Sequence, residues 1–456
     1  MSDFETSILK FGGTSMSSPE DPAAIVENRD DITGIVVSAP SGMTDLLGLD
    51  GYAGAVLSED EKSVLSIGSE VVGIFDAIYA PLIGSKALQQ IKRHLEVELE
   101  PLSGLTEEEA EARYASLGEF ANYQFFAEMI GAPAVPSLIR FDDRGTYSYT
   151  DTEGAFTEAW EEGSIGINRK FVTPGYYGVD AAGTRHLLGR GSSDRVGAIG
   201  SKQVEKKGIS CLYENWTDRD GIFTANPRFV PAARPIRVLS RGEVREGAHG
   251  GAGILQGGTI ADLRGSNVEV LVRNTKNPDA PGTRVVRTRE VEAGEPIVAI
   301  SGRDDLMEIT VHDMDMADTP GYLEKRLGRL RKDGLSIQHL PSSLDLFSVT
   351  LPANTERDFE GIDSFLEYAK RRLSTEDDTI EAEPKGVVYI VGEGLRDLDR
   401  RWDAITRVLG IIANHPSLQL EDPVSNRKSP SVGFLVDPNT VDETIKALHA
   451  EIFEIA

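Results

Sequence analysis

Short apolar runs separated by helical patterns are the feature of this sequence that most constrains its fold. The runs have the length and composition of buried strands, and helical periodicity lies between them. Strands that alternate with helices are typical of an α/β layer fold with a mainly parallel central sheet. The predicted strands are Ile8–Phe11, Gly34–Ala39, Phe171–Val172, Leu212–Asn215 and Val268–Arg273, and the predicted helices are Glu61–Tyr79, Glu119–Ile130 and Asp194–Val204, with a further helical stretch over Gly48–Leu117.

The pattern changes near Thr288–Pro296, a charged segment with glycine and proline that is typical of a linker. After it, the order strand, helix, strand, strand, helix occurs twice, which matches two small ferredoxin-like modules. We therefore expect a first domain over 1–287 and two βαββαβ modules over 297–383 and 384–456. The predicted elements are Leu306–Val311, Tyr322–Lys332, Leu335–Leu340, Leu346–Leu351 and Arg357–Arg372, then Val387–Val391, Leu398–Leu409, Leu418–Leu420, Val432–Val436 and Val441–Ile452.

The charge composition limits the partners of this chain. It holds 74 acidic and 47 basic residues, a formal net charge of −27, and arginine outnumbers lysine. This charge repels nucleic acid and anionic membrane surfaces, so we expect neither as a partner. The acidic residues are dispersed and do not form a tail. Together with the arginine content, this distribution predicts a halophilic protein, because concentrated salt screens the self-repulsion. A merely acidic mesophilic protein is the alternative.

Several absences favour a cytoplasmic location. No apolar run reaches the roughly 20 residues of a membrane helix, and the first residues lack the pattern of a secretory signal. The single cysteine, Cys211, cannot form an internal disulfide.

The length of 456 residues predicts two or three domains.

Two glycine- and serine-rich segments follow predicted strands. Lys10–Ser15 reads KFGGTS, where glycines let backbone N–H groups approach phosphate oxygens and Lys10 can neutralise their charge. Ser38–Asp45 reads SAPSGMTD, where Thr44 offers a hydroxyl to a substrate. Because ligands of α/β sheets gather at the carboxyl ends of strands, both loops are expected at one crevice. Each segment alone is more typical of an ordinary turn or polar loop.

Three further segments carry charges suited to an amino acid and a nucleotide. Glu119, in the LGE sequence at a helix start, can pair with an ammonium group, although it also favours the helix dipole. In LGRGSSD (188–194), Arg190 can bind a carboxylate bidentately and Asp194 can hold an ammonium group or orient Lys10. A salt-bridged helix cap is the alternative. Trp216–Arg228 (WTDRDGIFTANPR) resembles a segment at the edge of a nucleotide-binding site, with Asp218 near the ribose or base and Arg228 near the phosphates. A β-turn rich in aspartate and glycine is the alternative.

In this order the five segments resemble those of the aspartate kinases in the amino acid kinase family. Val272–Thr283 (VRNTKNPDAPGT) adds to the match, and the two C-terminal modules resemble the tandem ACT domains of that family. The resemblance covers nearly the whole chain apart from 48–117. It implies a three-layer amino acid kinase domain with a mainly parallel sheet, followed by two ferredoxin-like ACT domains.

The resemblance also implies an activity. Aspartate kinases transfer a phosphoryl group from ATP, with Mg²⁺, to the β-carboxylate of L-aspartate, the first step toward lysine, threonine and methionine. No dedicated metal-ligand cluster is visible in the sequence. By resemblance, Lys10 and Asp194 are the catalytic residues. The remaining implied site residues are Thr44, Glu119, Arg190 and Ser193 for aspartate, and Gly12, Gly13, Ser15, Thr217, Asp218 and Arg228 for the nucleotide.

The sequence departs from the family pattern at several positions. The family lysine that faces the nucleotide phosphates aligns with Gly253, Ser192 replaces a glycine, and Phe223 replaces a tyrosine. Thr173–Gly178 (TPGYYG) differs from the family strand end. The serine-rich effector loop of family ACT domains is not evident, and different sequences stand at Pro341–Asp345 and Asp422–Ser429.

These departures keep two alternatives open. One is a catalytically weakened, amino-acid-sensing regulatory homologue, and the other is a related kinase for a different amino acid. ACT modules of the family pair across subunits, so the resemblance implies a homo-oligomer and an amino-acid effector. Whether Arg195 replaces the missing lysine is not decided by the sequence.

Overall fold

The computed structural model describes residues 4–167, 169–189, 191–250, 255, 257–291, 296–333, 335–353, 362–373, 379–424 and 426–454. The chain forms two compact units. The first unit comprises Met1–Ile222, Pro235–Arg241 and Ile254–Thr288, and the second comprises Phe223–Arg234, Gly242–Gly253 and Arg289–Ala456.

The first unit alternates strands with helices, as the sequence pattern predicts. Up to residue 286 the elements are β1 (Thr6–Phe11), α1 (Gly13–Met16), α2 (Glu20–Glu27), β2 (Ile32–Val37), α3 (Met43–Leu47), α4 (Tyr52–Leu57), α5 (Glu61–Tyr79), α6 (Ser85–Glu98), α7 (Glu107–Ala115), α8 (Leu117–Ile130), α9 (Tyr149–Glu161), β3 (Phe171–Pro174), β4 (Tyr177–Val179), β5 (Arg185–Leu187), α10 (Ser192–Lys206), β6 (Cys211–Thr217), β7 (Val238–Ser240), α11 (Arg241–His249), α12 (Gly257–Asp262), β8 (Glu269–Asn274) and β9 (Thr283–Val286). Of these, α11 belongs to the second unit apart from Arg241.

A seven-stranded sheet in the order β3-β2-β1-β6-β8-β9-β7 forms the centre of this unit. All neighbouring strands are parallel except β8 and β9, which are antiparallel. Parallel strands need covered faces, because their crossover helices pack on both sides. The expected mainly parallel sheet is confirmed.

The two faces of the sheet carry different helix layers. Leu9 and Phe11 of β1 pack with Phe126 of α8 on one face. Ile8 packs with Val196 of α10 on the opposite face. Because side chains alternate along a strand, Lys10 shares the α10 face with Ile8. This alternation decides which charged groups Lys10 can reach.

Helices α3 to α8 build a separate apolar cluster. Aromatic rings stack inside it, with Tyr79 and Phe125 at a centroid distance of 4.9 Å. The prediction of helices over Gly48–Leu117 is therefore confirmed, and these helices form most of this apolar cluster.

The second unit is built on a five-stranded antiparallel sheet in the order β11-β10-β12-β14-β13. Its two longest strands, β10 and β12, run through both halves of the sheet, and β10 carries an irregularity between Arg303 and Leu306. From residue 299 the elements are β10 (Ala299–His312), α13 (Tyr322–Lys332), β11 (Leu346–Pro352), α14 (Ile362–Leu373), β12 (Thr379–Val391), α15 (Leu398–Ala413), β13 (Leu420–Val424), β14 (Ser431–Val436) and α16 (Val441–His449), with short 3₁₀ helices at Glu393–Arg396 and Pro438–Thr440 and a π-helix at Ala450–Glu454.

Two predicted strands of the second unit differ from the structure. The predicted strand Leu418–Leu420 overlaps β13 (Leu420–Val424) only at Leu420. Leu335–Leu340 forms a single bridge, between His339 and Thr350, in place of a ladder. Leu335 is nevertheless buried in the core of the second unit, so its apolar character reflects packing. Pro341 follows directly and has no N–H to continue a ladder. The predicted boundary between residues 383 and 384 falls inside β12.

None of the helices in the described ranges is long and apolar enough to cross a membrane.

Candidate active site

Two glycine loops meet where strands β1 and β2 end. The Ser41 N–H donates to the Gly13 carbonyl at 3.2 Å, and a Cβ added at Gly13 would lie 2.9 Å from the Ala39 carbonyl oxygen. The Gly12 N–H donates to the Trp216 carbonyl at the end of β6. The loops can approach this closely because glycine has no side chain. The structure therefore brings the KFGGTS and SAPSG segments to one edge of the sheet.

Lys10 and Asp194 form an ion pair under this edge. Lys10 Nζ lies 2.6 Å from Asp194 Oδ1, and both side chains are about nine-tenths buried. A Cβ at Gly12 would lie 3.3 Å from Lys10 Nζ, so the ammonium group sits against the glycine loop. Asp194 belongs to the first turn of α10, which begins after Gly191 at a φ of +74°. The pair places a cation where the glycine loop could hold an anion.

Glu119 lies in a buried network that reaches the same turn of α10. Its Oε2 accepts from the Gly175 N–H at 2.7 Å, and its Oε1 accepts from the Ser193 hydroxyl at 3.1 Å. The Ser38 hydroxyl donates to Ser193 Oγ at 2.9 Å. The Ser38 carbonyl accepts from Asn122, so α8 anchors the loop after β2 as well. Ser193 and Asp194 thus connect two charged centres through consecutive residues.

Burial raises the pKa of Glu119 to about 7, against 4.5 ordinarily. Hydrogen bonds from Gly175, Ser193, Tyr176 and Ala39 oppose this rise but do not cancel it. A ligand cation would favour the ionised carboxylate. The residue is therefore suited to holding an ammonium group near neutral pH.

Ser15 lies in α1 and Thr44 lies in α3. Ser15 is buried, and its hydroxyl is 2.6 Å from that of Thr275, which comes directly after β8. Thr44 is half-buried in α3. The structure thus places both hydroxyls in the helical turns that follow β1 and β2.

In the WTDRDG segment, Asp218 is exposed, whereas Thr217 and Asp220 make hydrogen bonds that stabilise the turn. Thr217 Oγ1 accepts from the Arg219 N–H at 3.1 Å, and Asp218 is exposed. Asp220 is held by the side-chain amides of Asn274 and Asn277, so it stabilises the turn. Arg228 lies in the second unit, where its N–H donates to Asn226 Oδ1.

Two positions important to the sequence argument, Arg190 and Gly253, lie outside the described residues. Arg195 can be placed. Its guanidinium bonds to Asp262 at 2.8 and 3.3 Å and lies over the ring of Tyr147. Arg195 is therefore bound within the α10–α12 layer.

Sequence reasoning missed two groups at this site. Ser38 belongs to a segment that the motif search found, but only the structure shows that it bonds to Ser193. Asn215 was assigned only to a predicted strand. It is fully buried, it is the register partner of Lys10, and its polarity in the middle of a buried strand was the available signal.

A mainly parallel sheet with helices on both faces, a glycine loop, a buried Lys–Asp pair and a buried glutamate places this unit in the α/β class of folds. The sequence pattern of the amino acid kinase family matches residues 5–274. This match spans more than half of the chain, so the chain belongs to the amino acid kinase family.

Individual proteins are similar over nearly the full length. Aspartokinase 3 of Bacillus subtilis is 26% identical over 471 residues, covering 98% of each chain. Lysine-sensitive aspartokinase 3 of Escherichia coli is 24% identical over 463 residues, covering 99% of this chain and 100% of the relative.

The fold is similar to that of solved aspartokinases. The structure of E. coli aspartokinase III in complex with aspartate and ADP has a TM-score of 0.81 at 23% identity, covering 98% of this chain and 100% of that chain. Aspartate kinase of Clostridium acetobutylicum has a TM-score of 0.77 at 22% identity, with the same coverage. The expected fold class, a kinase domain followed by ACT-like regulatory modules, is confirmed.

Proposed function

We propose that this protein is an aspartate kinase, which transfers the γ-phosphoryl group of ATP to the β-carboxylate of L-aspartate. The observation that carries the proposal is the pairing of Lys10 with Asp194 one residue from the Ser193–Glu119 network. Asp194, the partner of a cation suited to phosphate oxygens, and Ser193, the partner of a carboxylate suited to an amino group, are consecutive residues in the first turn of α10. The relatives named aspartokinase support the same substrate.

In the proposed reaction a β-carboxylate oxygen forms a bond to the γ-phosphorus, and the bond from that phosphorus to the ADP oxygen breaks. The products are 4-phospho-L-aspartate and ADP. Because the β-carboxylate is ionised at neutral pH, no side chain has to remove a proton. The rate then depends on positioning and on neutralising the phosphoryl charge. Lys10 supplies that positive charge, and Asp194 orients Lys10 in the free protein.

The other predicted residues divide between the two substrates. We assign Gly12, Gly13 and Ser15 to the phosphates and Thr217, Asp218 and Arg228 to the nucleotide. Thr44, Glu119, Arg190 and Ser193 are assigned to aspartate, with the Arg190 fork on its carboxylate and Glu119 on its ammonium group. These roles remain predictions.

We infer that Mg²⁺ enters as MgATP. No group of three or more histidine, cysteine or acidic side chains that could hold a metal occurs in the part of the chain that the structure describes. A metal bound mainly by phosphate oxygens and water fits such a site.

The ACT-like modules support a regulated, oligomeric enzyme of the cytoplasm. E. coli aspartokinase III has been solved with lysine and aspartate in its T-state, and its fold is similar to that of this chain. We propose an amino-acid effector for the second unit and a homo-oligomer as the functional form. The enzyme would serve lysine and threonine biosynthesis, and the domain limits 1–287, 297–383 and 384–456 stay part of this proposal.

The experiment is hydroxamate formation from L-aspartate and MgATP in concentrated KCl. Lys10→Met keeps an unbranched side chain but removes the ammonium group, and kcat should fall by about 10²- to 10³-fold. Lys92→Met, which removes a half-buried lysine paired with Asp76 in the helical cluster, is the matched control and should keep full activity. Folded protein that binds both substrates without turnover would refute the proposal.

Gly253 favours a second candidate, a weakened regulatory homologue, because a family cation is absent there. Gly253→Lys should then raise turnover by orders of magnitude, and no gain would count against this candidate. A panel of amino acids and small carboxylates tests the third possibility, a kinase for another amino acid.

A further inference from the structure

The buried side chain of Asn215 lies on the same face of the sheet as the Lys10–Asp194 pair. In the parallel ladder of β1 and β6, Asn215 is the register partner of Lys10. Register partners on neighbouring parallel strands point to the same face, and the strands lie about 4.8 Å apart. The Asn215 carboxamide therefore occupies the face on which Lys10 reaches Asp194.

Contacts of β6 identify this face independently. A Cβ at Gly197 of α10 would lie 2.4 Å from the ring of Tyr213, two residues before Asn215. Burial raises the pKa of the Tyr213 phenol, and the charge of Asp194 raises it further. The charge of Asp194 thus acts on Tyr213, a side chain of β6 that points toward α10. Trp216, by contrast, stacks on Phe11 at the opposite face.

Asn215 is polar without a partner in this position. It is 0% exposed, and within the described residues neither its Oδ1 nor its Nδ2 has a hydrogen-bond partner. Its register partner on the other side is Val272, which is apolar. An unpaired buried amide lowers stability, so packing alone does not account for it.

The chemistry of a carboxamide matches the neighbouring ion pair. Its oxygen accepts from an ammonium group, and its nitrogen donates to a carboxylate. When a phosphate attracts the Lys10 ammonium group, Asp194 loses part of its charge compensation in a buried place. A donor beside Asp194 then becomes necessary.

Resting on the proposed function, we propose that Asn215 is a positioning residue for phosphoryl transfer. Its Nδ2–H donates to Asp194 and its Oδ1 accepts from Lys10 once MgATP is bound. Asn215 thereby keeps the cation aligned with the phosphates while the pair is partly separated. Its contribution should appear in the nucleotide steps and not in the binding of aspartate.

Asn215→Leu tests this role, because leucine has similar size and neither donor nor acceptor. We expect kcat to fall by about 10- to 100-fold and the Kd for MgATP to rise severalfold, with the KM for aspartate within twofold of wild type. Thr259→Val is the matched control, because the Thr259 hydroxyl is also fully buried without a partner. It should leave all three constants unchanged.

The same measurements give the results that would overturn the proposal. Wild-type kcat and MgATP affinity in Asn215→Leu, or an equal loss in Thr259→Val, would show that the amide has no positioning role. If the leucine variant does not fold, Asn215→Asp keeps the shape but replaces the donor, and wild-type kcat in that variant also overturns the role. MgATP binding can be measured by calorimetry without aspartate. An inactive wild type would therefore refute the proposed function, while the MgATP affinities of wild type and Asn215→Leu would still test the role of Asn215.

Discussion

Replacing Glu119 with glutamine should change how the stability of the protein depends on pH. Burial raises the pKa of Glu119 to about 7 in the folded chain, whereas the ordinary value is 4.5. As pH rises between these values, the unfolded chain loses its proton and the folded chain keeps it, so the folded state is progressively destabilised. At about 1.4 kcal/mol for each pH unit between the two values, the loss is about 3 kcal/mol and is complete above pH 7. The neutral amide of Glu119→Gln removes this loss.

The assay is urea unfolding of both proteins at fixed KCl. The stability of Glu119→Gln relative to wild type should rise by about 2–3 kcal/mol from about pH 5 to about pH 8. Glu128→Gln is the control, because Glu128 lies on the same helix and is exposed. A difference between Glu119→Gln and wild type that does not vary with pH would refute the reasoning. L-aspartate should oppose the effect, because its ammonium group favours the ionised carboxylate, and its affinity for wild type should rise over the same pH range.

Three further predictions concern the close contact of Gly175 with Ser193, the guanidinium group of Arg190 and the net charge of the chain. Gly175→Ala should greatly weaken aspartate binding measured by calorimetry, because its Cβ would lie 2.5 Å from Ser193 Cβ, whereas Gly73→Ala has nothing within 4 Å and should bind normally. Arg190→Ala should abolish aspartate binding with ATP affinity nearly unchanged, and equal loss of both affinities would contradict its assignment. The melting temperature should rise with KCl because salt screens the net charge of −27, and maximal stability at low salt would exclude halophilic adaptation.

The alternation of apolar runs and helices was sufficient to predict most of the first unit. The helices α5 and α13 begin and end at the predicted residues, and the five predicted strands of the first unit all occur. Such elements have a strong local signal, because their periodicity and end residues agree. Leu335–Leu340 shows the limit, because Leu335 is buried by packing while the segment forms only one bridge, between His339 and Thr350. Local pattern cannot distinguish burial by a loop from burial in a ladder.

The sequence proposed residues for the candidate site but not the contacts among them. The LGRGSSD segment left two roles open for Asp194, to hold an ammonium group or to orient Lys10. The 2.6 Å pair agrees with the geometry of the second role, and the roles of both residues stay predictions. The partners of Glu119 are Gly175 and Ser193, which lie 56 and 74 residues away in sequence. Such pairs depend on how strands and helices stack, so no local motif contains them. Asn215 was missed because the motifs of the sequence lie in loops, whereas its proposed role depends on its register with Lys10 across two strands.

Under the proposed function, the first turn of α10 would serve both substrates from one short segment. Ser193 and Asp194 are consecutive, yet Ser193 bonds to Glu119 and Ser38 while Asp194 binds Lys10. Consecutive helical residues point about 100° apart, so one turn can contact two strand ends at once. Gly191, at a φ of +74°, allows the chain to enter the helix at this angle. A displacement of this turn by either substrate therefore moves the partner of the other, and binding of aspartate and of ATP should be energetically coupled through α10.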